Sequence, residues 1–243
     1  MGLQTQNISA QMCVLIHETL TPLTWSADRG LQLWQQSWAL RNSSDPPSTV
    51  LMDLRKRPFI AKTDHDLKTL LSNSELKRWR ELKRANDRED YLARTALLRT
   101  LLGQMLHRKA SAIEFRTGIH GKPELIGNQR VQFNISHSGA WLLMAFHPNQ
   151  QVGVDVQKID DTLNWRPIAE RCIASSITET ILEQPERHQQ EYFIQYWCEL
   201  EALLKCRGQG LSGLNRDDPS ARAKEERLWT VRVQKGYRAA AAQ

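Results

Sequence analysis

Two stretches of the chain carry the apolar spacing of amphipathic helices. Ser72 is followed three positions later by Glu75, the capping-box pattern that predicts the start of a first helix. We expect Asn86 and Asp87 to interrupt this region and a second helix to begin at about Glu89. The core stripe predicted for the second helix comprises Leu97, Leu98, Leu101, Leu102 and Met105.

Strand patterns dominate the middle of the chain. Apolar stretches typical of strands lie at 49–54, 131–135, 141–146 and 152–156. Two polar stretches between them, 118–123 and 136–139, contain glycines and are predicted as turns.

The last third of the chain adds helices and a closing hairpin. Apolar positions between Glu191 and Lys205 predict a strong helix that ends near Gly208. Pro167 suits the first turn of another helix. Residues 228–233 and 237–242 are predicted to pair as a hairpin.

Each half of the chain combines helix and strand patterns, which predicts an α+β protein with two similar lobes. We expect an N-terminal lobe at 49–151 and a C-terminal lobe at 152–243. Residues 1–48 are interpreted as an N-terminal extension, in which Trp25, Trp34 and Trp38 favour some packing and 42–48 has the composition of a linker.

Composition narrows the class of protein. The 243 residues are 40% hydrophobic and 25% charged, which excludes wholesale disorder and collagen. The chain has no apolar run of membrane-spanning length, and its start lacks the features of a secretory signal, so we expect a cytoplasmic protein without a membrane partner. Its four cysteines form no CxxC pair, which gives a zinc ribbon no support.

The positive charge is concentrated in one segment. The chain has a formal net charge of +6, and residues 77–109 hold ten basic side chains against four acidic ones, so this segment accounts for the whole excess. The basic residues are Lys77, Arg78, Arg80, Lys83, Arg84, Arg88, Arg94, Arg99, Arg108 and Lys109. A patch of this kind attracts phosphates or an acidic partner, although a charge run is also typical of an ordinary solvated helix face.

Two pairs of residues are candidates for catalysis. Asp155 and Gln157 lie two apart in an apolar strand pattern, so both side chains point to one face, where two oxygens can bind a hard cation. The alternative is a strand-end aspartate that caps a turn. Glu201 and Lys205 are four apart on the strong helix, as in a surface ion pair, but their apolar neighbours favour a buried, functional role.

The two predicted turns suit a phosphate ligand. Gly121, Lys122 and Pro123 form one turn, and Ser136 and His137 begin the other. Together they offer backbone N–H groups, an ammonium, a hydroxyl and an imidazole. Each signal is weak alone, and an isolated histidine such as His137 is more often a packed core residue.

The four motifs in their order resemble a known family. The chain reads GKPEL, then FNISHSGAWLLMAF, then VGVDVQ, then YFIQYWCELEALLKCRGQGL, between residues 121 and 211. This order resembles the 4′-phosphopantetheinyl transferase superfamily, surfactin-synthetase-activator type. The resemblance covers about 71–210, and residues 1–48 match no pattern of that family.

The resemblance implies a fold, a reaction and a set of roles. It implies two pseudo-twofold lobes, each with a small antiparallel sheet and a long helix, with coenzyme A and Mg²⁺ in the cleft between them. The implied reaction moves the phosphopantetheine arm of coenzyme A to a serine of an acyl or peptidyl carrier protein and releases 3′,5′-ADP. The implied enzyme is a monomer, and its carrier is acidic.

The same resemblance assigns residues. By motif, Asp155 and Glu201 match metal ligands, with Gln157 beside them, and Glu201 and Lys205 match the catalytic pair. The implied coenzyme A contacts are Gly121, Lys122, Pro123, Ser136, His137, Lys205 and, through the metal, Asp155. Arg88 and Arg94 fall where the family places basic residues for the nucleotide.

Two positions depart from the family pattern and keep alternatives open. Gln157 stands where many relatives have a glutamate, and Leu200 stands where a lysine commonly precedes the glutamate. The first alternative is therefore a homologue that binds coenzyme A or a carrier without transfer. The second is a basic module that binds nucleic acid, which explains the charge cluster but leaves Asp155 and Glu201 without a role.

Overall fold

The computed structural model describes residues 11–16, 19–24, 47–55, 64–127, 130–211 and 227–243. The chain divides by its internal contacts into two units, the first made of 1–41 and 50–114 and the second of 42–49 and 115–243. The predicted lobes at 49–151 and 152–243 stay a prediction. The three N-terminal tryptophans and most of the predicted linker lie outside the described residues, whereas Ser48 lies in a strand and is buried.

The first unit contains most of the chain's N-terminal elements. Strands β1 and β2 pair antiparallel, with Gln11 opposite Thr24. The strand predicted at 49–54 is confirmed as β3. The bounds are β1 Gln11–Ile16, β2 Thr19–Thr24, β3 Ser48–Asp53 (its first two residues belong to the second unit), α1 Asp64–Lys68, α2 Asn73–Glu81, α3 Ala85–Leu106 and a short 3₁₀ helix Ala110–Ala112.

The predicted capping box at the start of α2 is confirmed. The Glu75 backbone N–H donates to Ser72 Oγ at 3.3 Å, and the Ser72 backbone N–H donates to Glu75 Oε2 at 2.7 Å. The same carboxylate accepts from Arg99 Nε of α3 at 2.8 Å. Arg99 is 1% exposed and also donates to the carbonyls of Ala110 and Ile113, so this member of the basic segment is structural.

The predicted interruption at Asn86 and Asp87 is wrong. Both residues lie in the first turn of α3, where an acidic side chain is stabilised by the helix dipole. The break comes earlier, at Leu82, which caps α2 in an extended conformation. Arg88 Nη1 holds this turn by donating to the carbonyls of Leu82 at 2.9 Å and Lys83 at 3.3 Å.

The core stripe predicted for α3 is confirmed. Leu101 and Leu102 are completely buried, and the other three members of the stripe are also buried. A smaller apolar cluster joins Leu92 and Ala96 of α3 to Leu67 and Leu71.

The second unit contains three small groups of antiparallel strands. Its bounds are β4 Phe115–Thr117, β5 Pro123–Leu125, β6 Gln132–Ser138, β7 Trp141–His147, β8 Gly153–Lys158, α4 Arg166–Cys172, α5 Ser175–Leu182, α6 Glu186–Arg207, β9 Leu228–Thr230 and β10 Tyr237–Ala242. β4 pairs with β5, β6 pairs with β7, and β10 lies between β8 and β9. The predicted closing hairpin is thus confirmed by the pairing of β9 with β10.

Helix α6 packs closely on β8 and β10, because the strand residues beneath it are small. A Cβ added at Gly153 would lie 1.9 Å from the Ala202 carbonyl oxygen, so only glycine fits there. Ala240 and Ala242 of β10 are completely buried and belong to the same apolar core as Phe193 of α6. The strong helix is confirmed, and it ends as predicted at Gly208, which has a φ of +68°.

The predicted turn at 136–139 is wrong in its first half. Ser136 and His137 lie within β6, which continues to Ser138, and the chain turns at Gly139 with a φ of +53°. The serines that suggested a turn hold a neighbouring strand instead, as described below. The turn at 118–123 is confirmed between β4 and β5, and the helix at Pro167 is confirmed as α4, whereas α5 has no counterpart in the sequence prediction.

The described residues therefore form a mixture of helices and small antiparallel sheets, as an α+β protein requires. None of their helices has the length and apolar character needed to cross a membrane.

Candidate active site

Asp155 lies at the centre of the candidate site. It is part of β8, and its side chain is 1% exposed. Ser136 Oγ donates to Asp155 Oδ1 at 2.7 Å, and Lys205 Nζ of α6 donates to the same oxygen at 2.6 Å. A buried carboxylate with these partners is not a turn cap, so the alternative interpretation of Asp155 does not apply.

The other predicted residues of the pairs lie around Asp155. Gln157 Nε2 donates to Asp155 Oδ2 at 3.0 Å, which confirms that the two side chains share a strand face. Lys205 Nζ is 3.8 Å from Glu201 Oε2, one helical turn away. The side chains of Glu201 and Lys205 are 18% and 29% exposed, so this is not an ordinary surface ion pair.

A ladder of side chains positions β8 against β6. Three backbone N–H groups of β8 donate to side-chain oxygens at alternate positions of β6. The pairs are Val154 N to Asn134 Oδ1 at 2.9 Å, Val156 N to Ser136 Oγ at 3.3 Å and Lys158 N to Ser138 Oγ at 3.0 Å. Because side chains alternate along a strand, these three residues share the face of β6 that points to β8. The ladder therefore fixes how β8, and with it Asp155, is placed along β6.

Burial raises the pKa of two groups near Asp155. Burial raises the pKa of Glu201 above its ordinary value; the positive charge of Lys205 partly offsets this, and the negative charge of Asp155 adds to it. Burial also strongly raises the pKa of the Cys198 thiol, which donates to the Arg238 carbonyl at 3.2 Å. Cys198 therefore stays a thiol and packs beneath the site.

Lys122 binds protein oxygens. Its Nζ donates to the carbonyl of Lys205 at 2.9 Å, to the carbonyl of Val152 at 3.1 Å and to Gln151 Oε1 at 3.2 Å. Burial lowers the pKa of Lys122. The Lys205 carbonyl is one of the last four of α6, so Lys122 caps the negative end of this helix and ties it to the start of β8.

The rest of the predicted turn beside Lys122 is tightly held. Gly121 has a φ of +79°, and its N–H donates to the Gly118 carbonyl at 3.0 Å. Pro123 is the first residue of β5, a position where the missing N–H of proline is tolerated. The structure therefore brings Gly121, Lys122 and Pro123 to the end of α6 that carries Lys205.

His137, Arg88 and Arg94 are the remaining predicted residues. His137 is exposed and follows Ser136 in β6, so the two side chains point to opposite faces of the strand. Arg88 and Arg94 lie on α3 of the first unit. Arg94 stacks over the ring of Tyr91, with 5.2 Å from the guanidinium carbon to the ring centroid, and burial lowers its pKa.

Sequence reasoning missed Asn134 and Ser138 as residues that position the site. Their signal was present as a polar side chain at every second position of NISHS, which is a strand period. The glycine that follows and the high serine content suggested a turn instead.

The donor atoms around Asp155 fit one kind of metal site. Among the residues that the structure describes, no group of three or more His, Cys, Asp or Glu side chains is placed to hold a metal ion. Asp155 and Glu201 supply two carboxylates and Gln157 a neutral amide oxygen. This set does not make a complete protein cage, but it fits Mg²⁺, which commonly binds one or two carboxylates together with substrate phosphates and water.

Comparison with known proteins covers most of the chain. Residues 151–241 match a family model described as the 4′-phosphopantetheinyl transferase superfamily. Residues 57–149 match a second model, described as the N-terminal part of 4′-phosphopantetheinyl transferases. The first match includes β8 and α6, the elements that carry Asp155, Glu201 and Lys205.

Individual relatives agree with the family models. HetI, a 4′-phosphopantetheinyl transferase of Nostoc, is 29% identical over 153 residues, which are 61% of this chain and 64% of HetI. The Sfp transferase of Bacillus subtilis is 28% identical over 156 residues, 64% of this chain and 68% of Sfp. The psf-1 transferase of Bacillus pumilus is 34% identical over 145 residues, 56% of this chain and 60% of psf-1. The matches span less than two thirds of HetI and of psf-1.

Proposed function

Because the chain belongs to the 4′-phosphopantetheinyl transferase superfamily, we propose that it transfers the phosphopantetheine arm of coenzyme A to a serine hydroxyl of a carrier protein. The products are a holo carrier protein and 3′,5′-ADP. The observation that carries the proposal is the cluster of Asp155, Glu201 and Lys205. Lys205 Nζ lies 2.6 Å from Asp155 Oδ1 and 3.8 Å from Glu201 Oε2.

The cluster has the charges that a diphosphate substrate requires. Asp155 and Glu201 would hold Mg²⁺ together with the phosphate oxygens, and Gln157, which contacts Asp155 through its amide group, would be a further ligand. Bound there, Mg²⁺ would supply charge neutralisation and alignment of the diphosphate. Lys205 adds a positive charge that stabilises the negative charge developing on the phosphate or on the leaving group.

Glu201 is the proposed general base. The carrier serine attacks the phosphorus next to the pantetheine arm, and the bond from that phosphorus to the oxygen bridging to 3′,5′-ADP breaks. The serine proton passes to Glu201, directly or through a water molecule. The position of Glu201 supports this role, because its carboxylate is only 18% exposed and lies beside Lys205.

The coenzyme A contacts are proposed with different roles. Lys122 caps α6, so its contribution to the nucleotide is indirect: it holds the Gly121–Pro123 turn, whose backbone lies beside the adenine nucleotide. His137 is exposed and available for a phosphate, whereas Ser136 acts through Asp155 and Lys205. Arg88 and Arg94 are proposed to contribute positive charge to the same nucleotide.

An exposed basic surface is the proposed contact for the carrier. We use the name basic α2 surface for Lys77, Arg78, Arg80, Lys83 and Arg84, which are all exposed on α2 and the turn after it. An acidic carrier protein would be attracted to it, and surface charges of this kind mainly accelerate association. The proposal also includes two pseudo-twofold lobes with coenzyme A in the cleft between them, a monomeric enzyme and a cytoplasmic location.

The test is the mass of a carrier protein after reaction. The full chain is incubated with an apo carrier protein, coenzyme A and Mg²⁺, and the carrier is analysed by intact mass spectrometry. We expect the gain of one phosphopantetheine group, with none when Mg²⁺ is chelated. An unmodified carrier, tested across acyl and peptidyl carriers, would reject the proposal.

A second candidate is a homologue that binds coenzyme A without transfer. Gln157 favours it, because this neutral side chain donates its N–H group to Asp155 where many relatives have a second acid. In that case calorimetry would detect coenzyme A binding while the carrier mass stays unchanged.

A further inference from the structure

The Lys205 ammonium binds the Asp155 carboxylate, which is also the proposed metal ligand. Its Nζ is 2.6 Å from Asp155 Oδ1 and 3.8 Å from Glu201 Oε2. The ammonium group therefore contacts one carboxylate of the proposed metal pair closely and lies within ion-pair distance of the other. It also approaches Ser136 Oγ at 3.4 Å.

Both oxygens of Asp155 already have donors. Oδ1 accepts from Ser136 and Lys205, and Oδ2 accepts from Gln157. Of these three donors, only Lys205 carries a full positive charge. A divalent cation that binds Asp155 would therefore meet a like charge at the same oxygen, and two like charges at this separation repel strongly in a partly buried site.

We propose that Lys205 is an internal cation that competes with the divalent metal for Asp155, so that metal binding requires the ammonium to leave Oδ1. This inference rests on the proposed function, because it takes Asp155 and Glu201 as the metal ligands. It adds a role that the family resemblance does not assign: Lys205 weakens the binding of the bare metal.

The structure allows the side chain to move while the helix stays in place. Lys122 Nζ holds the Lys205 carbonyl at 2.9 Å, which anchors the backbone at this point of α6. The Lys205 side chain is 29% exposed and has a flexible four-carbon stem, so its ammonium can leave Asp155 without a shift of the helix.

The exchange couples the metal to coenzyme A. The displaced ammonium needs a new anionic partner, and the diphosphate of coenzyme A supplies one. Coenzyme A should therefore raise the affinity for the metal, and by reciprocity the metal should raise the affinity for coenzyme A.

Metal binding without catalysis provides the test. Mn²⁺ serves as the probe. Its binding to the full chain is measured by the loss of the electron paramagnetic resonance signal of free Mn²⁺, for the wild type, Lys205→Gln and Lys205→Arg. We expect Lys205→Gln to bind bare Mn²⁺ about tenfold more tightly or better, because the competing charge is gone. Lys205→Arg keeps the charge and should stay near the wild type.

A control and a second measurement guard against general effects. Lys158→Gln removes a positive charge from an exposed side chain of β8, the strand that carries Asp155, and it should leave the Mn²⁺ affinity unchanged. Removal of the Lys205 ion pair should also lower the melting temperature, and added Mn²⁺ should raise that temperature more in Lys205→Gln than in the wild type. This thermal readout applies to any variant that folds.

The outcomes separate this inference from the proposed function. Equal or weaker Mn²⁺ binding by Lys205→Gln, or a matching gain in Lys158→Gln, overturns the competition. Failure of both wild type and variant to bind Mn²⁺ also overturns it. If the wild type leaves every apo carrier unmodified, the proposed function fails, whatever the metal affinities are. If the wild type modifies the carrier while Lys205→Gln shows no gain in metal affinity, the inference alone fails.

Discussion

Asp155 is the residue on which the site depends most directly. It is buried in β8, and it contacts Ser136, the middle residue of the ladder, as well as Gln157 and Lys205. Its neighbours Val154 and Val156 are completely buried on the other face of the strand, so the backbone position is fixed by apolar packing. The carboxylate is therefore held in place before any substrate binds.

Asp155→Ala should lower turnover by at least about 10²–10³-fold, the scale of losing one electrostatic stabiliser of the transition state. The measurement is the rate of phosphopantetheine transfer at saturating coenzyme A. Asp161→Ala is the matched control, because it removes an exposed aspartate six positions away in the chain. Near-normal turnover of Asp155→Ala, or an equal loss in Asp161→Ala, would contradict the assignment.

Glu201 should make stability depend on pH. Burial raises its pKa, so the folded protein holds the proton more tightly than the unfolded chain, and the stability from this group is lost as pH rises through the folded-state pKa. Glu201→Gln removes this loss. As the pH rises above the ordinary glutamate value of 4.5, without added metal, the free energy of unfolding of the variant should improve relative to the wild type.

Urea unfolding at a series of pH values measures this difference. A relative loss of stability by Glu201→Gln as the pH rises would mean that the carboxylate gains more from Lys205 than it loses by burial.

At the scale of elements, the sequence predicted those parts of the fold whose signal is local. The capping box at Ser72 and Glu75, the apolar stripe of α3 and the end of α6 at Gly208 each depend on neighbouring residues, and all three are confirmed. The position of Asp155 beside Gln157 follows from strand alternation and is confirmed in the same way.

The errors arose where a distant partner decides the structure. Ser136 and Ser138 suggested a turn because their hydroxyls commonly bind nearby backbone, but here they accept N–H groups of β8, about twenty residues later. Lys122 as a phosphate ligand stays a prediction, but its bond to the Lys205 carbonyl is a contact that no local pattern indicates. Pairings of this kind are set by tertiary packing and cannot be read from spacing.

Lys122→Met tests the cap of α6. It removes three hydrogen bonds to oxygens and the positive charge at the end of the helix, so we expect a loss of about 1–3 kcal/mol in the free energy of unfolding. His137→Ala, at an exposed position, should leave the free energy of unfolding nearly unchanged while it weakens the binding of coenzyme A.

Denaturant unfolding and calorimetry with coenzyme A separate these effects. Unchanged stability of Lys122→Met together with a large loss of coenzyme A affinity would return Lys122 to the role of a direct phosphate ligand.

At the scale of the whole molecule, the charge is distributed unevenly. The segment 77–109 carries the entire formal excess, but the structure uses its members differently: Arg99 is buried with Glu75, and Arg88 holds the turn before α3. The exposed charge that remains at the start of the segment is the basic α2 surface.

Reversal of charge at Lys77 and Arg84 should raise KM for the carrier severalfold and make the rate less sensitive to salt, because surface charges act mainly on association. The matched control reverses Arg108 and Lys109, two exposed residues at the other end of the segment. Steady-state kinetics with carrier and with coenzyme A at two ionic strengths measure the effect. If KM for coenzyme A rises while KM for the carrier stays constant, the surface serves the nucleotide.

The central claim is that phosphopantetheine transfer takes place at the cluster of Asp155, Glu201 and Lys205. Its most direct test compares Glu201→Gln with Glu199→Gln in single-turnover transfer to an apo carrier, followed by intact mass. The two variants lose the same group two positions apart on α6, and Glu199 accepts a hydrogen bond from Gln195 at 3.0 Å instead of facing Lys205. We predict that Glu201→Gln transfers at least about 10²-fold more slowly than the wild type and that Glu199→Gln stays within a few-fold of it. Equal rates for the two variants, whether both normal or both slow, would contradict the account.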